Sequence, residues 1–431
     1  MTRGASVSTE QTAWWAAFGH RHFNAFQVAR TLAILGMQMQ SVAVGWQIYD
    51  ITKRPIDLGY VGLAQFLPGF VLFLFAGHAA DIFDRRKLLI WVYAGYAVCS
   101  AMLLGVDHVF GTTPRSVQLI YVVLVGLGVV RAFSFPVSRA ILPHQVPEEH
   151  FPNAVAWNAS TFQMATIAGP ALGGLVYAAS HGPQAVYAMA VTVAILSVAL
   201  TFRIHPLQTS ADREEGERLR EPFSMRKVLV GMHYIWDKSL ILGSISLDMF
   251  AVLLGGSVAL LPVYARTILH TGPWGLGLLR SAPGVGAALM AILVAHWPIR
   301  RRAGITMLVA VAGFGVCTII FGISRSMTVS LVALLLLGAS DMVSVIIRAT
   351  LIQLATPDEM RGRVNAVDML FIGVSNELGE FESGITAQWF GTMPAVVLGG
   401  VGTLVVIGIW AWLFPELREA DELTVAELMP E

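Results

Sequence analysis

Twelve long apolar segments run through this chain of 431 residues. An α-helix needs about 20 apolar residues to cross the hydrocarbon core of a bilayer, and only helices or closed barrels satisfy their own backbone hydrogen bonds there. The segments occupy residues 23–48, 57–80, 88–106, 117–139, 155–179, 184–203, 239–265, 273–297, 304–323, 328–350, 365–391 and 393–414. The pattern predicts an all-α membrane protein with twelve transmembrane helices.

The overall composition argues against a soluble protein. Charged residues make up 13% of the chain and hydrophobic residues 55%, whereas soluble domains carry roughly 25% charged residues. The formal net charge of zero offers no basic surface to nucleic acid. The two cysteines, Cys99 and Cys317, lie far apart in apolar segments, which favours neither a disulfide framework nor a zinc site. We expect no nucleic-acid partner, no metal and no cofactor.

The distribution of basic residues predicts the orientation. Met1 to Arg21 shows no signal-peptide cleavage pattern, so the first apolar segment is expected to be an uncleaved anchor. Twenty Lys and Arg residues fall in the loops on the side of the termini, and five fall on the opposite side. Because cytoplasmic loops carry the excess of positive charge, both termini are predicted to be cytoplasmic.

One long polar stretch, 204–238, divides six segments from six. It mixes acidic and basic residues, and such runs are usually solvated. We therefore interpret it as a cytoplasmic linker between an N-terminal half, 1–203, and a C-terminal half, 239–431.

The two halves resemble each other, which indicates an internal duplication. Pro68-Gly69 and Arg85-Arg86-Lys87 recur 215 positions later as Pro283-Gly284 and Arg300-Arg301-Arg302, and Arg139-Ala140 recurs as Arg348-Ala349. Two six-helix repeats are an architecture of secondary transporters, with the substrate site between them near the bilayer midplane.

Three segments carry a family resemblance. The stretch from Gly77 to Lys87, with Asp81 and the pair Arg85-Arg86, resembles the loop 2–3 signature of the major facilitator superfamily. In span five, Gly169-Pro170-Ala171-Leu172-Gly173-Gly174 resembles the glycine-proline signature of exporters in that superfamily. The phrase from Arg361 to Ala366 is similar to the branch that includes the enterobactin exporter and macrolide-efflux-like proteins. The second half departs from the loop signature because His296 replaces the acid.

The resemblance implies the major facilitator fold in a bacterial inner membrane, working as a monomer. It also implies that spans 1, 4, 7 and 10 line a central cavity, and that the substrate is a siderophore or a hydrophobic antibiotic. The span-five signature implies export, although tight helix packing explains its glycines equally well. The loop 2–3 motif of Gly77, Asp81, Arg85 and Arg86 is interpreted as a gating latch, the alternative being a signal for orientation alone.

Ionisable residues within the apolar segments are expected to have a functional or structural role, because inserting each one into the membrane costs about 2.5–3.5 kcal/mol. The predicted seam charges are Arg30 and Arg131 in the first half, and Asp248, Asp341, Glu377 and Glu380 in the second; Arg280 and Glu382 are further charges in the second half. Glu377 and Glu380 share a helix face, so they crowd each other and are suited to carry a proton. We hypothesise proton antiport through these carboxylates or through Asp341, and the alternative is a set of static ion pairs.

The sequence leaves three functional hypotheses to compare. Efflux of an amphipathic small organic molecule by antiport is favoured by the buried acids and by the span-five signature. Uptake of a small organic solute by proton symport uses the same fold. A membrane-embedded enzyme would need a catalytic constellation, and the sequence shows no HExxH, GxSxG or GxxxxGK[ST] pattern.

Overall fold

The computed structural model describes residues 14–204, 225–299 and 301–421, and the side chains of Phe73, Leu74, Ala80, Asp81 and 225–228 lie outside that description. Long helices dominate it: α1 (Arg21–Thr52), α2 (Pro55–Ile82), α3 (Arg85–Phe110), α4 (Pro114–Ile141), α5 (Phe151–Ser180), α6 (Gln184–Thr201), α7 (Met225–Asp237), α8 (Ser239–Leu254), α9 (Gly272–His296), α10 (Ala303–Ile323), α11 (Met327–Ala355), α12 (Asp358–Phe390), α13 (Thr392–Leu413) and α14 (Pro415–Glu419). The predicted all-α membrane fold is confirmed, and the twelve apolar segments correspond to α1–α6 and α8–α13.

Local sequence explains where several helices begin. Pro55 and Pro114 open α2 and α4 at positions where a missing N–H costs nothing. Asp84 caps α3, because its side chain accepts hydrogen bonds from the backbone N–H groups of Arg86 and Lys87. Only two residues separate α1 from α2, and only two separate α2 from α3.

Among the described residues, ten segments are long and apolar enough to cross a bilayer by length and composition. The helices α1 and α12 do not reach that threshold, because they carry the most polar side chains. Both lie at the centre of the bundle, where polar residues face a cavity rather than lipid.

Span seven is interrupted, which corrects the prediction of one continuous helix over 239–265. The helix α8 ends at Leu254, and Gly255-Gly256 lead into a 3-10 turn at Ser257–Leu260 and a π-helical turn at Tyr264–Ile268. Because Gly256 has no Cβ, its backbone can approach that of Gly379 of α12, where a Cβ would lie 2.7 Å from the Gly379 carbonyl. The interruption also brings Ala259 and Pro262 to the central cavity.

The predicted linker, 204–238, lies partly outside the described residues. From Met225 it forms the amphipathic helix α7, with Ile235 buried and Trp236 exposed. The Tyr234 hydroxyl donates to the carbonyl of Ala355 at 3.2 Å, so α7 packs against the end of α11. The division of the chain into two halves at this linker stays a prediction.

We call the end of the bundle where α1 begins and α13 finishes the terminal end, and the opposite end the distal end. The first six spans pack among themselves, as do the last six, and two seams join the sets: α2 with α12, and α5 with α9. The closest approaches along both seams lie in the distal half. A Cβ on Gly384 would lie 3.0 Å from the Cα of Gly59, and one on Gly277 would lie 3.1 Å from the Cα of Gly174. The bundle is therefore closed at the distal end.

Candidate functional site

A cavity of about 490 Å³ lies at the centre of the bundle. Its wall is built by α1–α5, the interrupted part of span seven, α9 and α12. The polar part of the wall consists of Arg30, Gln38, Ser41, Gln65, Tyr93, Tyr96, Arg131, Ser134, Ser138, Arg280, Glu377 and Glu380. Met37, Phe135 and Phe162 belong to its apolar part. The wall therefore carries charged and aromatic side chains, and both the first six and the last six spans contribute to it.

An ion pair crosses this cavity between the two sets of spans. Arg131 on α4 donates from Nη1 to Oε1 of Glu377 on α12 at 3.3 Å. Glu377 is largely buried, whereas Arg131 is half-exposed to the cavity. The charges that the sequence predicted to face each other across the seam meet at this pair.

Glu380 stands one helical turn from Glu377 and approaches the same point. The Oε2 atoms of Glu377 and Glu380 lie 3.3 Å and 3.0 Å from the position that a Cβ on Gly62 would occupy. Gly62 on α2 therefore leaves room for two carboxylates side by side. Arg280 of α9 lines the same cavity and interacts electrostatically with both.

Glu382 belongs to a different environment. Its Oε1 accepts a hydrogen bond from the Thr386 hydroxyl at 2.5 Å, and it does not line the cavity. The 100° advance per residue along an α-helix turns it away from Glu377 and Glu380.

Arg30 of α1 also lines the cavity, apart from the glutamates. Its Nη1 donates to the carbonyl of Asn158 at 3.1 Å, and the guanidinium carbon lies 5.5 Å from the centre of the Phe162 ring. Both partners belong to α5, so this arginine is held within the N-terminal set of spans.

Asp248 and Asp341 are not on the cavity wall, and the predicted seam set is therefore split in two. Asp248 lies 3.3 Å from Arg348, which also pairs with Asp368. Asp341, Asp248 and Ser344 line a separate small void between α8, α10 and α11. The acids of spans 7 and 10 thus form a buried cluster within the C-terminal set.

Sequence reasoning missed the centre of this cluster. It counted Arg348 with the basic residues of the cytoplasmic loops, although residue 348 falls in the predicted segment 328–350; α11 continues to Ala355 and leaves Arg348 only 3% exposed. Asp368 was not recognised as a membrane charge. The internal repeat of Arg139-Ala140 at Arg348-Ala349 places Arg348 at the end of a span, and this repeat was the available signal.

The loop 2–3 motif forms a compact junction at the terminal end. Arg85 interacts with the ring of His144, which follows α4. Arg86 donates to the carbonyls of Thr201 and Phe202 at the end of α6, where a cation is favoured by the helix dipole. Gly77 lies within α2, and the Asp81 side chain lies outside the described residues. Asp84, which the sequence analysis did not single out, is the acid that caps α3.

The span-five motif packs α5 on two neighbours. Gly169 and Gly173 face Gln38 and Met39 of α1. The carbonyl of Pro170 and the backbone of Gly174 face Gly277 of α9 across the seam. Small residues allow this close backbone approach, so the motif joins the two sets of spans at their distal end.

No grouping of His, Cys, Asp or Glu within residues 14–204, 225–299 and 301–421 could hold a metal ion. Cys99 and Cys317 are both free and buried. The residues of the cavity wall offer charge, hydrogen-bonding groups and aromatic surface.

Comparison with known proteins supports the fold and the family. The chain is 21% identical over 396 residues to a staphyloferrin A transporter of Staphylococcus aureus, covering 90% of this chain and 95% of that protein. It is 25% identical over 395 residues to an enterobactin exporter of Salmonella choleraesuis, covering 90% and 91%. Among solved structures, a D-xylose–proton symporter superposes with a TM-score of 0.70 at 12% identity, covering 92% of this chain and 99% of that one.

A second solved structure, the xylose transporter of Escherichia coli in an inward-open conformation, superposes with a TM-score of 0.68 at 11% identity, covering 96% of this chain and all of that one. The family model described as transmembrane secretion effector matches residues 12–431. The resemblance to the major facilitator superfamily and to its siderophore-exporter branch is therefore confirmed. The chain is a multi-pass membrane protein that belongs to the transmembrane secretion effector family of the major facilitator superfamily.

Proposed function

We propose that this protein exports an amphipathic small organic molecule, siderophore-like in character, by alternating access coupled to proton antiport. The observation that carries the proposal is the ion pair between Arg131 and Glu377, which joins the two sets of spans inside the cavity. Two relatives, an enterobactin exporter and a staphyloferrin A transporter, favour the same class of substrate.

The ion pair supplies a physical basis for coupling. A proton on Glu377 removes the charge that holds Arg131, and because Arg131 is half-exposed the pair contributes about 1 kcal/mol. Losing that contribution shifts a two-state equilibrium by roughly fivefold, because each 1.4 kcal/mol is a factor of ten. Glu380 lies beside Glu377 and provides a second proton acceptor. Protonation of either carboxylate therefore changes the electrostatic attraction across the seam.

The cavity suits a molecule rather than a bare ion. Cavities that bury drug-sized ligands measure roughly 300–1,000 Å³ and combine apolar walls with a few polar groups. The central cavity has about 490 Å³ and presents Phe135 and Phe162 beside its charged residues. A sugar would need more amide partners than Gln38 and Gln65 supply.

The proposal includes the placement of the protein. It lies in a bacterial inner membrane with both termini cytoplasmic, so the terminal end of the bundle faces the cytoplasm and the described state is closed to the outside. The two halves flank the linker at 204–238 and rock about the distal seams, with the loop 2–3 motif as the latch of the opposite state. The protein acts as a monomer on its substrate and on protons, and it catalyses no covalent reaction.

Flux in proteoliposomes tests the proposal. The purified protein is reconstituted with an inward or outward pH gradient, and a panel of labelled lipophilic drugs and siderophores is offered. Movement of a compound against the direction of proton flow supports antiport. Movement with the protons would show uptake symport, and no gradient-dependent flux would contradict proton coupling.

A further inference from the structure

Arg30 is the cavity arginine that has no carboxylate partner among the residues that the structure describes. Arg131 pairs with Glu377, and Arg280 interacts with both cavity glutamates. Arg30 has its hydrogen bond to the carbonyl of Asn158 and its contact with the Phe162 ring. A guanidinium carries five N–H donors, so this one retains donors that a ligand in the cavity can use.

A second donor lies on the same part of the wall. The Tyr93 side chain on α3 lines the cavity and is 1% exposed, and its hydroxyl has no hydrogen-bond partner in the described part of the chain. Tyr93 also interacts electrostatically with Arg30. A buried hydroxyl without a partner is destabilising, and an acceptor on a bound molecule would satisfy it.

We propose that Arg30 and Tyr93 form an anion subsite that takes a carboxylate or phenolate of the transported molecule. This inference rests on the proposed function, in which the central cavity is the transport site. The guanidinium matches the geometry of a carboxylate, and the pair of charged hydrogen bonds is stronger than neutral ones. The apolar part of the same molecule lies on the rings of Phe162 and Phe135, which line the cavity beside it.

The subsite is separate from the glutamates. Arg30 lies nine residues into α1 from the terminal end, and Glu380 lies ten residues from the distal end of α12. At 1.5 Å per residue these positions are each roughly 15 Å from opposite ends of their helices. The organic anion is therefore held by the N-terminal set of spans, while the proton acceptors belong to the C-terminal set, so the two ligands act on opposite sides of the seam.

Equilibrium binding to protein in nanodiscs tests the subsite without any gradient. Three matched fluorescent probes are used: dansylglycine, which carries a carboxylate, its neutral amide, and the cationic N-dansylethylenediamine. Discs of zwitterionic lipid remove anionic headgroups, and empty discs correct for partition into the bilayer. The variants are Arg30→Gln, Arg30→Lys and Tyr93→Phe.

Arg115→Gln is the matched control. Arg115 lies 5.5 Å from the centre of the Phe110 ring, the same cation–π separation as that of Arg30 and Phe162, but it is exposed at the distal end of α4 and does not line the cavity. Any effect of losing an arginine from an aromatic face in general will therefore appear in both variants.

We expect the wild type to bind the carboxylate at least tenfold more tightly than the amide. Arg30→Gln should abolish that preference, Arg30→Lys should keep part of it, and Tyr93→Phe should reduce it a fewfold, while Arg115→Gln leaves it unchanged. A carboxylate that binds no better than the amide, or a preference that survives Arg30→Gln, would overturn the subsite.

Two further outcomes separate this inference from its rivals. Loss of probe binding when phosphatidylglycerol is added to the discs would assign the site to a lipid headgroup and overturn a soluble organic anion. If the probes bind as expected but proteoliposomes show no gradient-dependent flux, the proposed coupling fails and the anion subsite stands.

Discussion

Arg266, at the end of span seven, forms an ion pair with Asp50, at the end of α1, and so links the two sets of spans at the distal end. Asp50 also accepts from Lys53 at 2.5 Å, and the Arg266 guanidinium lies 5.4 Å from the centre of the Trp46 ring. This junction lies at the end of the cavity where the backbone seams are closest. It stabilises the state in which the distal end is closed.

Arg266→Gln is expected to open the distal end more often. The pair is about one-third exposed, so we assign it about 1 kcal/mol, which is roughly a fivefold shift in population. Distances between spin labels on the distal loops, measured in nanodiscs, report the population of the open state. Asp50→Asn should shift the distribution in the same direction, and an unchanged distribution in Arg266→Gln would contradict the assignment.

Gly277→Ala is expected to strain the seam between α5 and α9. The new Cβ would lie 2.5 Å from the carbonyl oxygen of Pro170, and such overpacking costs about 1–3 kcal/mol. We expect lower apparent thermal stability in detergent and reduced closure of the distal end. Gly105→Ala is the control, because a Cβ on Gly105 of α3 meets nothing within 4 Å; equal behaviour of the two variants would show that the seam is not tight.

The spans could be predicted from the sequence because hydrophobicity alone decides which segments enter a bilayer. The interruption of span seven was missed, although Gly255-Gly256 and Pro262 mark it, because an apolar composition does not distinguish a helix from a broken one. Arg348 was counted with the loop charges for a related reason: a charged residue near the end of a segment looks like part of a loop until a partner such as Asp248 compensates its charge.

The cavity was predicted only in part. The opposite charges of Arg131 and Glu377 indicated an ion pair across the seam, and the structure places their side-chain atoms 3.3 Å apart. The sequence could not show that Asp248 and Asp341 lie away from it, because a pattern of charges gives the spans that carry them but not the direction in which each helix turns.

Arg348→Met should be severely destabilising. It leaves Asp248 and Asp368 buried without their shared cation, and breaking a buried pair from one side costs about 3–5 kcal/mol. Arg418→Met, which removes an exposed pair with Glu419, should cost at most about 1 kcal/mol. Apparent melting temperatures in detergent compare the two.

A rescue variant separates lost charge balance from lost packing. Replacing both acids by amides in the triple variant Arg348→Met, Asp248→Asn, Asp368→Asn should recover much of the stability. Failure to recover any of it would show that Arg348 stabilises the protein by its shape rather than by its charge.

Acidification should loosen the segment before α1. His20 and His150 lie 2.9 Å apart, and the Ala17 amide donates to the Asn153 side chain at 3.0 Å. Burial, together with the nearby His150, lowers the pKa of His20 below its ordinary value of 6.5. A base with a lowered pKa docks in its neutral form, so the docking contribution is complete above pH 6.5 and is lost as the pH falls below that value.

Hydrogen exchange at the Ala17 amide measures this docking. After correction for intrinsic exchange, protection should fall between pH 7.5 and pH 5.5 in the wild type. The His20→Gln variant should show no such change. Protection that is constant with pH in the wild type would exclude His20 as the titrating group.

The central claim is that the cavity glutamates couple the seam to protons, and the most direct test is transport by the double variant Glu377→Gln, Glu380→Gln in proteoliposomes. The account predicts that efflux driven by a pH gradient is lost while exchange of labelled for unlabelled substrate at equal pH continues, because the site remains but the proton acceptors do not. Glu382→Gln, which alters a carboxylate of the same helix outside the cavity, should leave both activities intact. Gradient-driven efflux at the wild-type rate in the double variant would contradict the account.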